Sequence, residues 1–428
     1  MGMRSSGEFS FRLFLLIAFL VLGQTGLVAA KNADARSTGN WVVTGSETII
    51  DVDEVWNGNI TVLANGQLTI TNSVLVFNSS SLVRYGITVD KGGMLVVSNS
   101  RLASVNSSEG FWFLAEGLLD VRNSIIESVF AGTSGLNWIG GFRITSDNPV
   151  IQNTLLNGSA GYFVRFEGCR NVLFSGNTIT GASTALLLNR STGVVKDNVF
   201  TNNSDRHIVI EACDGVDVLN NKLNDTGAGA FIVSGSRNIR SVGNYYEGGL
   251  YGVYTKAASL QMERDNITES LVNLEGVENS KVTLIDCLYD KTTINAKTGS
   301  VVTLKRVVRV RVIVGKNPVS GAIVTVQDSK KNQLAEATTD GDGRAQFTII
   351  ESVVTDNGIS EGGPFTFKAL KGLRSFSGRF ATIGTDELDL KISLPWDLIV
   401  GAGAFLVLVL YAVSRPPKTK KSRRPRKA

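Results

Sequence analysis

A single histidine bounds the chemistry open to this 428-residue chain. His207 stands in "SDRHIVIEACD", four residues before Glu211. One histidine excludes a multi-histidine metal centre. Any Ser-His-Asp arrangement would have to pass through it. The alternation of the segment turns His207 outward on a strand, where a lone histidine is ordinarily inert. No Walker, dinucleotide or Cys-x-x-Cys pattern is present. Asp340-Gly341-Asp342-Gly343 lacks the ligand series and closing Glu of an EF-hand loop and reads as a hairpin turn. No metal or cofactor is expected; calcium at this run is possible but not supported.

The elements that must position such residues repeat. Asn153, Asn177, Asn198, Asn221, Asn244 and Asn266 are separated by 24, 21, 23, 23 and 22 residues. Asn72, Asn99 and Asn123 extend the column upstream, and Cys287 ends it. A period in the low twenties means stacked units, none able to bury its apolar face alone. The segments "FVRFEGC", "HIVIEAC" and "AFIVSGS" alternate with a period of two, the pattern of strands and not of leucine-rich helices. This predicts a parallel β-helix with rungs about 4.8 Å apart. Val164 and Phe166, Leu186 and Leu188, Ile208 and Ile210, Phe231 and Val233, Val253 and Thr255, and Val272 and Leu274 should point inward. The asparagines should hold the turns, each amide bonding to the backbone and to the next rung.

The same stacking sets out two outward columns. One holds Glu167, Asn189, Glu211, Ser234, Lys256 and Glu275; the other holds Arg165, Leu187, Val209, Ile232, Tyr254 and Asn273. A polysaccharide could lie there, its hydroxyls on the polar column and its ring faces on Tyr254. Glu167, Asn189, Glu211, Tyr254 and Lys256 are the glycan-binding candidates. Elimination or epimerisation of a sugar acid needs a base and a carboxylate neutraliser; Glu211, Arg165, His207 and Lys256 are the residues whose types meet that need. The bland alternative is a solvated face, and the reading leans away from an enzyme.

Taken in order, residues 1–30 read as a secretory signal, with Arg4 and Arg12 before the apolar run Leu13–Leu22. Residues 31–145 read as wider, less regular coils capping the regular β-helix of 146–304. Residues 305–394 lose the Asn column and read as a β-sandwich. Residues 395–414 are apolar and about 30 Å long as a helix, enough to cross a bilayer. The tail 415–428 has eight Lys or Arg and no acid, the flank of a cytoplasmic end. The expected product is a single-pass type I membrane protein, all-β outside, with one C-terminal transmembrane helix.

The charge agrees. The chain has 43 basic and 38 acidic residues, but without the tail and the signal's Arg4, Arg12 and Glu8 the remainder is 33 against 37. The basic character belongs to the tail, and nucleic acid is excluded as a partner of the main body. Three cysteines make no disulfide scaffold; Cys169 and Cys213 lie two rungs apart, beyond bridging distance, so three free, buried thiols are expected. Sequons at Asn59, Asn78, Asn106, Asn157, Asn189, Asn202, Asn224 and Asn266 are glycosylation candidates in a secreted chain.

The 150–290 repeats resemble the right-handed parallel β-helix repeats of carbohydrate-binding and sugar-hydrolase domains, a superfamily that includes pectate lyases and alginate epimerases. The Asp-Pro-His-Asp motif of the epimerases is absent, so no catalytic residue is carried over. "NPVSGAIVTVQD" and "TTDGDGRAQF" are similar to carboxypeptidase-regulatory-like, transthyretin-type sandwiches, which implies a spacer. The whole order resembles archaeal cell-surface proteins. It implies an adhesive, structural or glycan-binding role with polysaccharide or surface glycoproteins as partners, or alternatively a tethered polysaccharide lyase, epimerase or hydrolase.

Overall fold

The computed structural model describes residues 39–130, 141–372, 374–380 and 387–391. The expected signal at 1–30, span at 395–414 and tail at 415–428 lie outside the described residues. Among the described residues no helix is long and apolar enough to cross a membrane. Apart from a 3-10 turn at Lys291–Thr293, their regular structure is strand. The chain divides into two units, 1–304 with 353–359, and 305–352 with 360–428.

The first unit is a β-solenoid of about 11 turns. Each turn lays strands on three faces, all paired in parallel with the turns above and below. In one turn Val172–Ser175 lies on the first face, and Thr178–Asn189 bends across the second and third. The next turn places Gly193–Lys196, Val199–Asn203 and Arg206–Glu211 beneath them. The N-terminal coils vary in width, the first pairing Trp41 with Ile60 after 19 residues and the following ones being wider, but they share the same three faces in continuous register. Ile60 pairs with Ile87 and Phe113 with Phe142, 27 and 29 residues on, whereas Val164 pairs with Leu186 after 22.

Alternation fills the interior. Val164, Phe166, Leu186, Leu188, Ile208, Ile210, Phe231, Val233 and Val253 are fully buried, and so is Thr255. The last predicted rung is displaced. Val253 pairs with Leu274 and Thr255 with Gly276, so Val272 is only half-buried and opposes Tyr251. Gly276 occupies an inward place without an apolar side chain, and the sequence pattern therefore slid two residues back.

The asparagine column is really two adjacent columns. Asn72, Asn99, Asn123 and Asn153 take left-handed backbone, with φ from 48° to 52°, followed in the same place by Gly176, Asp197, Asn220 and Gly243. Short polar side chains and glycine tolerate that conformation. The next position is buried and runs Ser73, Ser100, Ser124, Thr154, Asn177, Asn198, Asn221, Asn244 and Asp265. Each side-chain oxygen from Ser100 to Asp265 accepts the backbone amide one rung earlier, as Asn221 does from Asn198 at 3.0 Å. The amide nitrogens reach back to carbonyls, Asn221 Nδ2 to Val195 at 2.9 Å. The corner's buried polar groups are thereby satisfied from within the stack.

That ladder ends in an acid. Asp265 Oδ2 accepts from Ser241 Oγ at 2.6 Å, and Ser241 Oγ lies 2.7 Å from the Tyr246 hydroxyl. Burial pushes the Asp265 carboxyl up to about 6 against its hydrogen bonds to Ser241 and Asn244. A second ladder stands at another corner and mixes residue types: Cys169, Ser191, Cys213 and Ser236, each bonded to the amide of the previous rung from Ser191 onward. All three cysteines are free and buried. Burial pushes the Cys169 and Cys287 thiols up to about 12, so they behave as small apolar residues. Cys287 follows the left-handed Asp286, in register with the first ladder.

The second unit holds a four-stranded antiparallel sheet, ordered Gln333–Thr338, Ile323–Gln327, Phe365–Lys371 and Arg374–Phe380. Arg309–Ile313 pairs in parallel with Glu387–Lys391. Val310, Val312, Val324, Val326, Phe347 and Phe367 share one core. The 340–343 segment is a turn, its Asp340 carboxylate accepting from the amides of Asp342 and Arg344 at 2.9 and 2.8 Å.

Candidate functional site

The third face carries the residues singled out for chemistry, with His207 the exception. One outward column reads Arg143, Arg165, Leu187, Val209, Ile232, Tyr254, Glu275 and Asn295. Its neighbour reads Glu167, Asn189, Glu211, Ser234, Lys256 and Val277. Glu275 therefore belongs beside Tyr254 and not below Lys256, and Asn273 is in neither column.

His207 corrects the sequence reading most sharply. It is fully buried. It stands second in the strand Arg206–Glu211, at the bend into the third face, a corner where Ala185 and Ala230 are buried too. Alternation does not hold at a corner, and those alanines leave room for a ring. Asn203 Nδ2 donates to His207 Nδ1 at 3.0 Å, and His207 Nε2–H donates to the Asn224 carbonyl at 2.9 Å. The neutral Nε2–H tautomer satisfies both contacts. His207 is a core strut, not a surface base.

The other three do not converge with it. Arg165 pairs with Glu167, which also accepts from Arg143 Nε at 2.8 Å. The Arg165 guanidinium stands 5.3 Å from the Tyr162 ring centre. Glu211 accepts from Asn189 Nδ2 at 3.4 Å. Lys256 lies two rungs from Glu211, about 10 Å away at strand spacing, and pairs with Glu278 at 3.1 Å. That bond raises its ammonium pKa.

Aromatic rings gather at the C-terminal end of the face. Tyr251 and Tyr254 are half-exposed, with ring centres 5.2 Å apart and planes at 53°. Glu275 lies beside Tyr254, 7% exposed, and accepts from Lys297 Nζ at 2.8 Å. Burial, then the Glu275 charge, raise the Tyr254 hydroxyl. Sequence reasoning missed Tyr251 and Lys297. The spacing of Tyr251 from Tyr254 was visible, but its neighbourhood depended on the displaced rung. Among the described residues no group of three or more His, Cys, Asp or Glu could hold a metal ion.

Of the sequon asparagines, Asn78, Asn106 and Asn202 are exposed. Asn59, Asn157, Asn189, Asn224 and Asn266 are half-buried.

The family model described as "Right handed beta helix region" matches residues 58–246. No curated protein matches. Among solved structures, the periplasmic alginate epimerase AlgG is similar at 10% identity and a TM-score of 0.42, over 59% of this chain and 78% of that one. The enzymatically active domain of bacteriophage CBA120 tailspike protein 2 is similar at 11% identity and 0.37, over 82% and 72%. The Dettilon tailspike protein gives 10% and 0.34, over 79% and 71%.

Proposed function

We propose that this protein is an outward-facing, membrane-anchored surface protein whose third face holds glycan chains. The Tyr251–Tyr254 pair carries the reading. Two flat apolar surfaces with hydroxyl ends stand half-exposed, beside the lysines 256 and 297. Sugar rings present matching apolar faces and hydroxyl rims. The anchor rests on the sequence of 395–428, and the second unit, which has its own core and a four-stranded antiparallel sheet, is read as the spacer. We prefer binding to a lyase, epimerase or hydrolase because Glu211, Lys256, Arg165 and His207 form no convergent set.

The test uses the full-length chain in detergent on immobilised neutral and uronate-containing polysaccharides. Retention without product is expected, weakened about fivefold or more by Tyr254→Ala, the loss of roughly 1 kcal/mol of ring contact. No retention, or retention indifferent to Tyr254, overturns the reading. Unsaturated uronate or new reducing ends, abolished by Glu211→Gln, would establish an enzyme instead.

A further inference from the structure

The corner between the third and first faces is cut back at one rung. Between Gly86–Val89 and Met94–Ser98 the turn has four residues, 90–93. Between Trp112–Ala115 and Leu118–Arg122 it has two, Glu116 and Gly117. On the next rung Ile144 and Val150, the partners of Ala115 and Asp120, have five residues between them against four, so that turn is longer by one. The short turn sits recessed between longer ones and leaves an open notch of about 710 Å³, within the usual size of small-molecule sites. Gly117 forms the floor, where a Cβ would meet the carbonyls of Asp90 and Gly93 at 2.4 Å. Lys91 stands on one wall; Asp147 and Arg170 pair on the other.

Ser146 lines the same notch. It is 7% exposed, and its hydroxyl has no hydrogen-bond partner. A buried hydroxyl left unsatisfied costs about 1–3 kcal/mol. The hydroxyl is turned away from the notch and sealed from solvent, so Ser146 shapes the wall without offering a contact.

The geometry points to a binding site for a neutral, hydroxyl-rich sugar unit, an inference that rests on the glycan-holding reading and gives it a second contact away from the tyrosines. The lining balances two cations, Lys91 and Arg170, with two carboxylates, Glu116 and Asp147, so it favours neither anion nor cation. It is mostly polar, which excludes a lipid tail. Leu118, 46% exposed, offers an apolar footing for one face of a pyranose. Donors and acceptors of both kinds around a small volume suit hydroxyls, which both give and accept.

The test titrates the full-length protein with neutral hexasaccharides (glucose- and mannose-based) and with a uronate hexasaccharide. The double variant Lys91→Ala/Glu116→Ala should bind the neutral chain about tenfold more weakly, as the loss of roughly one net hydrogen bond predicts. Ser146→Ala, which removes a hydroxyl sealed from the notch, should leave binding unchanged and thermal stability equal or higher, the control for the double variant. Binding should also be indifferent to salt, as expected for an uncharged ligand. Wild-type affinity in the double variant, or a preference for the uronate chain that fades with salt, overturns the site. If Tyr254→Ala abolishes binding while the double variant leaves it intact, the notch fails and the third-face reading stands. If no hexasaccharide binds, both fail.

Discussion

Asp265 meets Asn244 twice: its Oδ1 accepts the backbone amide of Asn244 at 2.6 Å and the Nδ2 amide at 3.1 Å. An acid thus stands where earlier rungs place an amide. Ser241, at the place of Val218 one rung earlier, supplies a hydroxyl to its second oxygen.

This buried acid makes the solenoid more stable in mild acid. Folded Asp265 keeps its proton up to about pH 6, whereas its ordinary value is 3.8. Between those values the folded state binds more protons. Stability therefore falls as pH rises through that window and is level above it, at a cost of about 3 kcal/mol by neutral pH. Asp265→Asn should melt higher than wild type at pH 7.5 and lose the slope between pH 4 and 6. A slope that persists in the variant assigns the effect elsewhere.

The two asparagine columns should respond oppositely to the same change. Asn153→Gly places glycine where φ is 52°, as Gly176 does one rung on, and should shift stability by less than about 1 kcal/mol. Asn177→Gly removes the acceptor of the Thr154 amide and the donor to the Ile151 carbonyl. It should cost about 3 kcal/mol or more. Chemical denaturation of both proteins measures the difference, and equal midpoints would refute the separation into two columns.

His207→Leu should lower stability by about 2 kcal/mol or more, because the Asn203 amide and the Asn224 carbonyl lose their partner. Glycan retention per folded molecule should not change. A loss of binding or turnover in a variant that melts normally would restore His207 to the functional site.

Deleting 396–428 should release soluble protein that retains its β-sheet circular dichroism. Continued sedimentation with membranes would remove the anchor from the proposed function.

Much of the fold was legible because strand alternation writes inward positions directly into the sequence. Ile208 and Ile210 needed nothing beyond it. What escaped depends on geometry that residue type does not encode. Ser191 and Cys213 do the same work in one ladder, so a search for identical letters passes over them. Gly276 is inward yet silent. His207 obeys the corner and not the strand. The notch is a difference between turn lengths and becomes visible only when the rungs are stacked.

In the ladder each side chain reaches back to the preceding rung, Asn198 to Asn177 and Asn221 to Asn198. A rung's corner is therefore finished by residues made about 22 positions later. As the solenoid folds, the outermost coil holds a corner amide unanswered until the following coil stacks on it. Growth is directional, and an interrupted chain stays open at its latest coil.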